Sequence, residues 1–113
     1  MDKQTRSGDW YDETKKLKAV YKVLHYLAEH QQEASDCVGN DAKARQLFKD
    51  HGGIVVPELK DDPSARVVIL APGEKADVGT SVVLEIPPPE LKDASDNQLF
   101  YFVVGAYPYW PGQ

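Results

Sequence analysis

Apolar positions fall into a helical rhythm in the first half of the chain and into short continuous runs in the second. Leu17, Val20, Tyr21, Leu24, Leu27 and Ala28 recur at 3.6-residue spacing, which predicts a helix from about Asp12 to Ala34 with one buried face. Lys15, Lys18, Lys22 and His25 fall on the opposite flank. Val23 and Tyr26 lie outside the main stripe. The apolar surface is therefore wider than one contact needs, which fits either a tyrosine lying flat on the surface or a second partner surface or a homodimer. Asp9 or Asp12 is placed to cap the helix.

Ser35 to Asn40 breaks the pattern, with Gly39–Asn40 as turn residues. Asn40 or Asp41 caps a second helix from Ala42 to about Asp50, with Ala44, Leu47 and Phe48 inward. Gly52–Gly53 stops it, since glycine accepts the left-handed conformation of a helix C-terminus. Beyond this the chain reads as extended. Ile54–Val56 is short and ends at Pro57. Arg66–Ala71 is a continuous apolar run, as in a central strand covered on both faces. Pro72–Gly73 turns it, and Thr80–Ile86 returns as the second arm of a hairpin. Pro87, Pro88 and Pro89 end that strand, because proline cannot donate to a ladder, and predict a stiff extended spacer.

Ile54-x-x-Pro-Glu-Leu-Lys-Asp61 recurs as Ile86-x-x-Pro-Glu-Leu-Lys-Asp93, each followed by an apolar run. Both copies predict strand, turn, strand, with Leu59 and Leu91 as anchors. The last segment carries two signals. Ser95-x-x-Gln98 matches a capping box, which starts a helix, whereas Phe100 to Val104 is aromatic and β-branched, which favours strand. Strand is the assignment taken for Leu99–Val104. Leu99–Trp110 holds six of the chain's eleven aromatic residues. The fold class predicted is α+β: two N-terminal helices packed on a mostly antiparallel sheet of three to five strands. The chain of 113 residues is read as one domain, with residues 1–11 flexible, 12–51 helical, 53–104 strand-rich and 105–113 an aromatic tail.

Composition narrows function more than it names it. A net charge of −5 disfavours nucleic acid and anionic membrane as partners. No run of eighteen apolar residues spans a bilayer, and the polar start MDKQTRSGDW has no signal-peptide core. A cytoplasmic location is expected. Cys37, the single cysteine, cannot form an internal disulfide and has no cation beside it in sequence to activate it. His25 and His30 are five apart and do not share a helix face as metal ligands would. Glu58, Asp61, Asp62, Glu90, Asp93 and Asp96 read as solvated turn acids, and the lysine stripe as a solvated helix face. No catalytic residue, cofactor or metal site is predicted.

The tail Tyr107-Pro-Tyr-Trp-Pro111 is stiffened by proline and rich in residue types that anchor interfaces; such a segment either folds back over the core or docks on a partner. Tyr107, Tyr109 and Trp110, with Val23 and Tyr26 on the helix, are the candidate partner-binding residues. The leading expectation is a small non-enzymatic protein-binding domain. One alternative is an acidic inhibitor or immunity-type protein that covers a toxin or enzyme. Another is a ligand binder or enzyme whose site assembles from residues such as His51, Asp61 or Tyr101.

From Asp41 to Ala106 the order of features resembles a known family. The residues that carry it are Asp41-Ala-Lys-Ala-Arg-Gln-Leu47, Gly53-Ile-Val-Val-Pro-Glu58, Arg66-Val-Val-Ile69, Thr80-Ser-Val-Val-Leu-Glu-Ile-Pro-Pro88, Leu91-Lys-Asp-Ala-Ser-Asp96 and Val104-Gly105-Ala106. The series is similar to the nitrile hydratase-type leader peptides, bacterial precursors of ribosomally made, modified peptides. The resemblance implies a double-glycine-type processing site at Gly105–Ala106, releasing Tyr107–Gln113. The nitrile hydratase α subunit's cysteine-rich metal motif is missing, so nitrile hydration is not implied. The helix after Arg45 is shorter, and the 72–79 loop longer, than the family's.

Overall fold

A computed structural model of the chain describes residues 13–54, 56, 67–74 and 82–105. The long amphipathic segment forms α1 (Glu13–Glu29), a break at His30, and α2 (Gln31–Asp36). This corrects the single helix to Ala34: His30 sits at φ −121°, ψ 69°, outside the helical region. No proline or glycine causes the break. The side chain of Gln31 does the capping. Its amide nitrogen donates to the carbonyls of Ala28 (2.9 Å), Leu27 (3.3 Å) and, across the fold, Pro87 (2.8 Å). The end of α1 leaves carbonyls without helical partners, and Gln31 caps that end while tethering the kink to the segment after β2.

Helix α3 (Asp41–Gly52) matches its expectation closely. Asn40 caps it, its side-chain oxygen accepting from the Lys43 amide at 3.1 Å. Gly53, at φ 84°, ends it in the left-handed conformation. Ala44, Leu47 and Phe48 are buried on its inner face. Gly52 lies at the crossing with α1. A Cβ built there would stand 3.2 Å from Cγ2 of Val23 and 3.3 Å from Cβ of Ala19, so only glycine lets the two helices come this close without a shift.

The sheet holds three strands among the described residues: β1 (Val67–Leu70), β2 (Val82–Glu85) and β3 (Val103–Gly105), in the order β1-β2-β3. The hairpin expectation fails here. β1 and β2 run parallel, with Val67 opposite Val82 and Leu70 opposite Glu85. Only β2 and β3 are antiparallel, with an irregularity between Val83 and Leu84. The sheet is therefore mixed rather than mostly antiparallel among the described residues, while the α+β class holds. The reason lies in burial: β1 and β2 are apolar almost throughout, as strands covered on both faces are. Residues 71–81 approach the dozen that a parallel return requires. The Pro72–Gly73 turn is present, the Glu74 amide donating to the Ala71 carbonyl at 2.9 Å. Val38, just after α2, bridges Ile69 on the outer side of β1. Ile54 and Val56 are buried but stand outside the strands, and Val55 lies outside the described residues.

The triple proline is not a spacer throughout. Pro88 is extended, but Pro89 opens a 3-10 helix, Pro89–Asp93, where its fixed φ suits a first helical position. The Pro-Glu-Leu-Lys-Asp turn of the second copy is this 3-10 helix. The first copy falls outside the described residues except for Ile54 and Val56. The assignment of Leu99–Val104 to strand is also corrected. Ser95 and Gln98 form a reciprocal capping box that starts α4 (Asp96–Leu99), and a 3-10 turn (Phe100–Phe102) follows before β3. Satisfying the first amides of a helix outweighed β-propensity, and only Val103–Gly105 reaches the sheet.

One core joins these elements. Val20, Val23, Leu24 and Leu27 of α1 meet Phe48 of α3, Val67 and Ile69 of β1, Val82 and Leu84 of β2, and Leu99 of α4. Helix α1 packs on α3, the first 3-10 helix and α4, while α3 packs on β1. Lys16 is a further residue of α1 drawn inside, at 1% exposure; the periodicity did not single it out.

Candidate functional site

Two features of the described surface carry chemistry. The first is a ring stack at the helical end. Tyr26 lies between two imidazoles: His30 at a centroid distance of 4.0 Å and 18° between planes, and His51 at 3.6 Å and 16°. Rings at these distances fit only on opposite faces of the phenol. His30 is one helical turn beyond Tyr26, and its Nδ1 donates to the Tyr26 carbonyl at 3.1 Å. His51 arrives from the last turn of α3. The Tyr26 hydroxyl donates to Oε1 of Glu33 at 2.5 Å. That bond, followed by desolvation and by the charges of Glu33 and Asp50, pushes the phenol up to about 12.

Beside the stack is a groove of about 180 Å³ between α2 and α3, lined by Glu33, Asp36, Cys37, Lys43, Gln46, Leu47 and Asp50. Its rim is acidic, with Lys43 as the one cation in the lining. Cys37 is 3% exposed. Burial pushes its thiol up, Glu33 and Asp36 add to the rise, and Lys43 pulls the other way. A thiol so placed is a poor nucleophile. Among the described residues no group of three or more His, Cys, Asp and Glu side chains is placed to hold one metal ion. The groove's chemistry is that of an electronegative recess with an apolar floor.

The second feature is an aromatic surface beside β3, the last strand of the sheet among the described residues. The turn out of α4 leaves Tyr101 82% exposed and Phe100 46% exposed, and Val104 of β3 is 41% exposed. Phe102, by contrast, packs on the core and meets Tyr101 edge to face, with ring centroids 5.4 Å apart and 78° between planes. The signal for this surface was present in the sequence. Once Ser95–Gln98 starts a helix, Phe100 and Tyr101 no longer alternate as strand residues.

The candidate residues disperse. Val23 is fully buried at the α1–α3 crossing and offers nothing to a partner. Tyr26 is half-buried and engaged by its two histidines. The wide helix face is thus covered within the chain, which removes the reason for placing a homodimer there. Gly105 pairs with Val83 of β2. Ala106, Tyr107, Tyr109 and Trp110 lie outside the described residues, as does Asp61. His51 and Tyr101 are not brought together: one belongs to the ring stack and the other to the sheet edge. His25 is a tie, its Nδ1 donating to the Lys92 carbonyl at 2.9 Å with Nε2 3.9 Å from Asp96. Lys15, Lys18 and Lys22 are exposed, as the stripe predicts, and line a shallow recess of about 270 Å³ with Gly52, Gly53 and Ile54. Those lysines complement the negative end of the α3 dipole. No helix among the described residues is long and apolar enough to cross a membrane. No protein-family model, no curated protein and no solved structure matches the chain.

Proposed function

We propose that the chain is a small non-enzymatic domain that binds a protein partner through the aromatic surface at the edge of its sheet. The observation that carries this reading is the exposure of Phe100, Tyr101 and Val104 within five positions. Large aromatic side chains at the surface are the residue types that anchor interfaces. The sequence continues directly into Tyr107, Tyr109 and Trp110, which extend the same chemistry. The setting that goes with this reading is a bacterial cytoplasm, supported by the single cysteine. Capture from a host lysate by the immobilised chain, repeated with Tyr101→Ala, tests it. Partners retained by the parent and lost with Tyr101→Ala are the expected result; equal capture by both refutes the surface.

The leader-like precursor is one concrete version of this domain. Its support is the Val104-Gly105-Ala106 series and the order of features from Asp41 onward. A double-glycine peptidase would then cut after Ala106, and an intact chain under conditions that cut a control substrate would exclude that version. The acidic-inhibitor reading has its own support in the groove, where Glu33, Asp36 and Asp50 surround the opening. A partner held there is released by salt, whereas one held by Tyr101 is not.

A further inference from the structure

We draw no further inference here: the strongest candidate, the groove between α2 and α3 lined by Glu33, Asp36, Asp50 and the buried Cys37, is a cluster of carboxylates beside a single cysteine, and nothing in the structure shows what fills it.

Discussion

Replacing Gln31 by alanine should destabilise the chain by about 2 kcal/mol, although the residue is only half-buried and sits in a six-residue helix. The magnitude follows from its amide. Two of its hydrogen bonds are short, 2.8 Å to Pro87 and 2.9 Å to Ala28, while the third, to Leu27, is 3.3 Å. An amide offers two hydrogens, so two full bonds is the fair count, and each contributes about 1 kcal/mol net. The loss is not made up locally, because Pro87 is buried and water reaches its carbonyl poorly. For a chain of this size 2 kcal/mol lowers Tm by roughly 8–12 °C. Gln32→Ala is the control: Gln32 is exposed and reaches only Asp36 at 3.3 Å, so its loss should cost less than ~0.5 kcal/mol. Gln31→Glu goes further than alanine, since a carboxylate only accepts and would face carbonyl oxygens. Its deficit should narrow in acid, where the protonated form regains one donor. Thermal melts of the three variants and the parent decide the matter. If Gln31→Ala and Gln32→Ala melt at the same temperature, the kink is not held by the Gln31 tether.

Two further outcomes follow from the helical end. The Tyr26 phenol is raised from 10.0 to about 12 by its bond to Glu33, so the folded state favours the neutral form. The stability this supplies is present below pH 10 and is lost as pH climbs from about 10 towards about 12. Chemical denaturation across that range should show a steeper loss for the parent than for Tyr26→Phe; parallel curves would refute the bond. Gly52→Ala tests the α1–α3 crossing. The intrinsic helix gain of up to ~1 kcal/mol is opposed by the fully buried Val23 methyl at 3.2 Å and the Ala19 carbonyl at 3.4 Å. Overpacking of this kind costs about 1–3 kcal/mol, so the net effect should be a loss of about 1 kcal/mol, and a raised Tm would show that the helices have room to separate.

Local rules carried the sequence reading where a segment's structure is decided locally. Asn40, Ala44, Leu47, Phe48 and Gly53 each do in α3 what spacing and side-chain type predict. Of the stripe from Leu17 to Ala28, Val20, Leu24, Leu27 and Ala28 are buried as expected, and Leu17 and Tyr21 are partly buried against the core. The reading lost ground where the deciding contact comes from far along the chain. Nothing near His30 announces a break, because the cap that makes it worthwhile reaches to Pro87. The direction of β2 relative to β1 depends on the path of residues 71–81, which strand composition does not encode. Within Ser95–Val104 the two signals competed, and the capping box outweighed the residue preferences of Phe100–Phe102. At the ring stack, Tyr26 and His30 are one turn apart and so legible in principle. His51 joins them only through the packing of α3 on α1.

The parallel pairing of β1 with β2 has a consequence for how the chain folds. A hairpin zips from its turn, each pair of residues bringing the next within reach. A parallel pair has no such starting point: Val67 must find Val82, and Leu70 must find Glu85, before any neighbouring contact shortens the search. The loop entropy is spent before the pairing returns anything. Val38 is the first residue in chain order that β1 can join, and it stands between α2 and α3. The helices, whose contacts are close in sequence, are therefore the natural template, and the sheet is expected to assemble on them late.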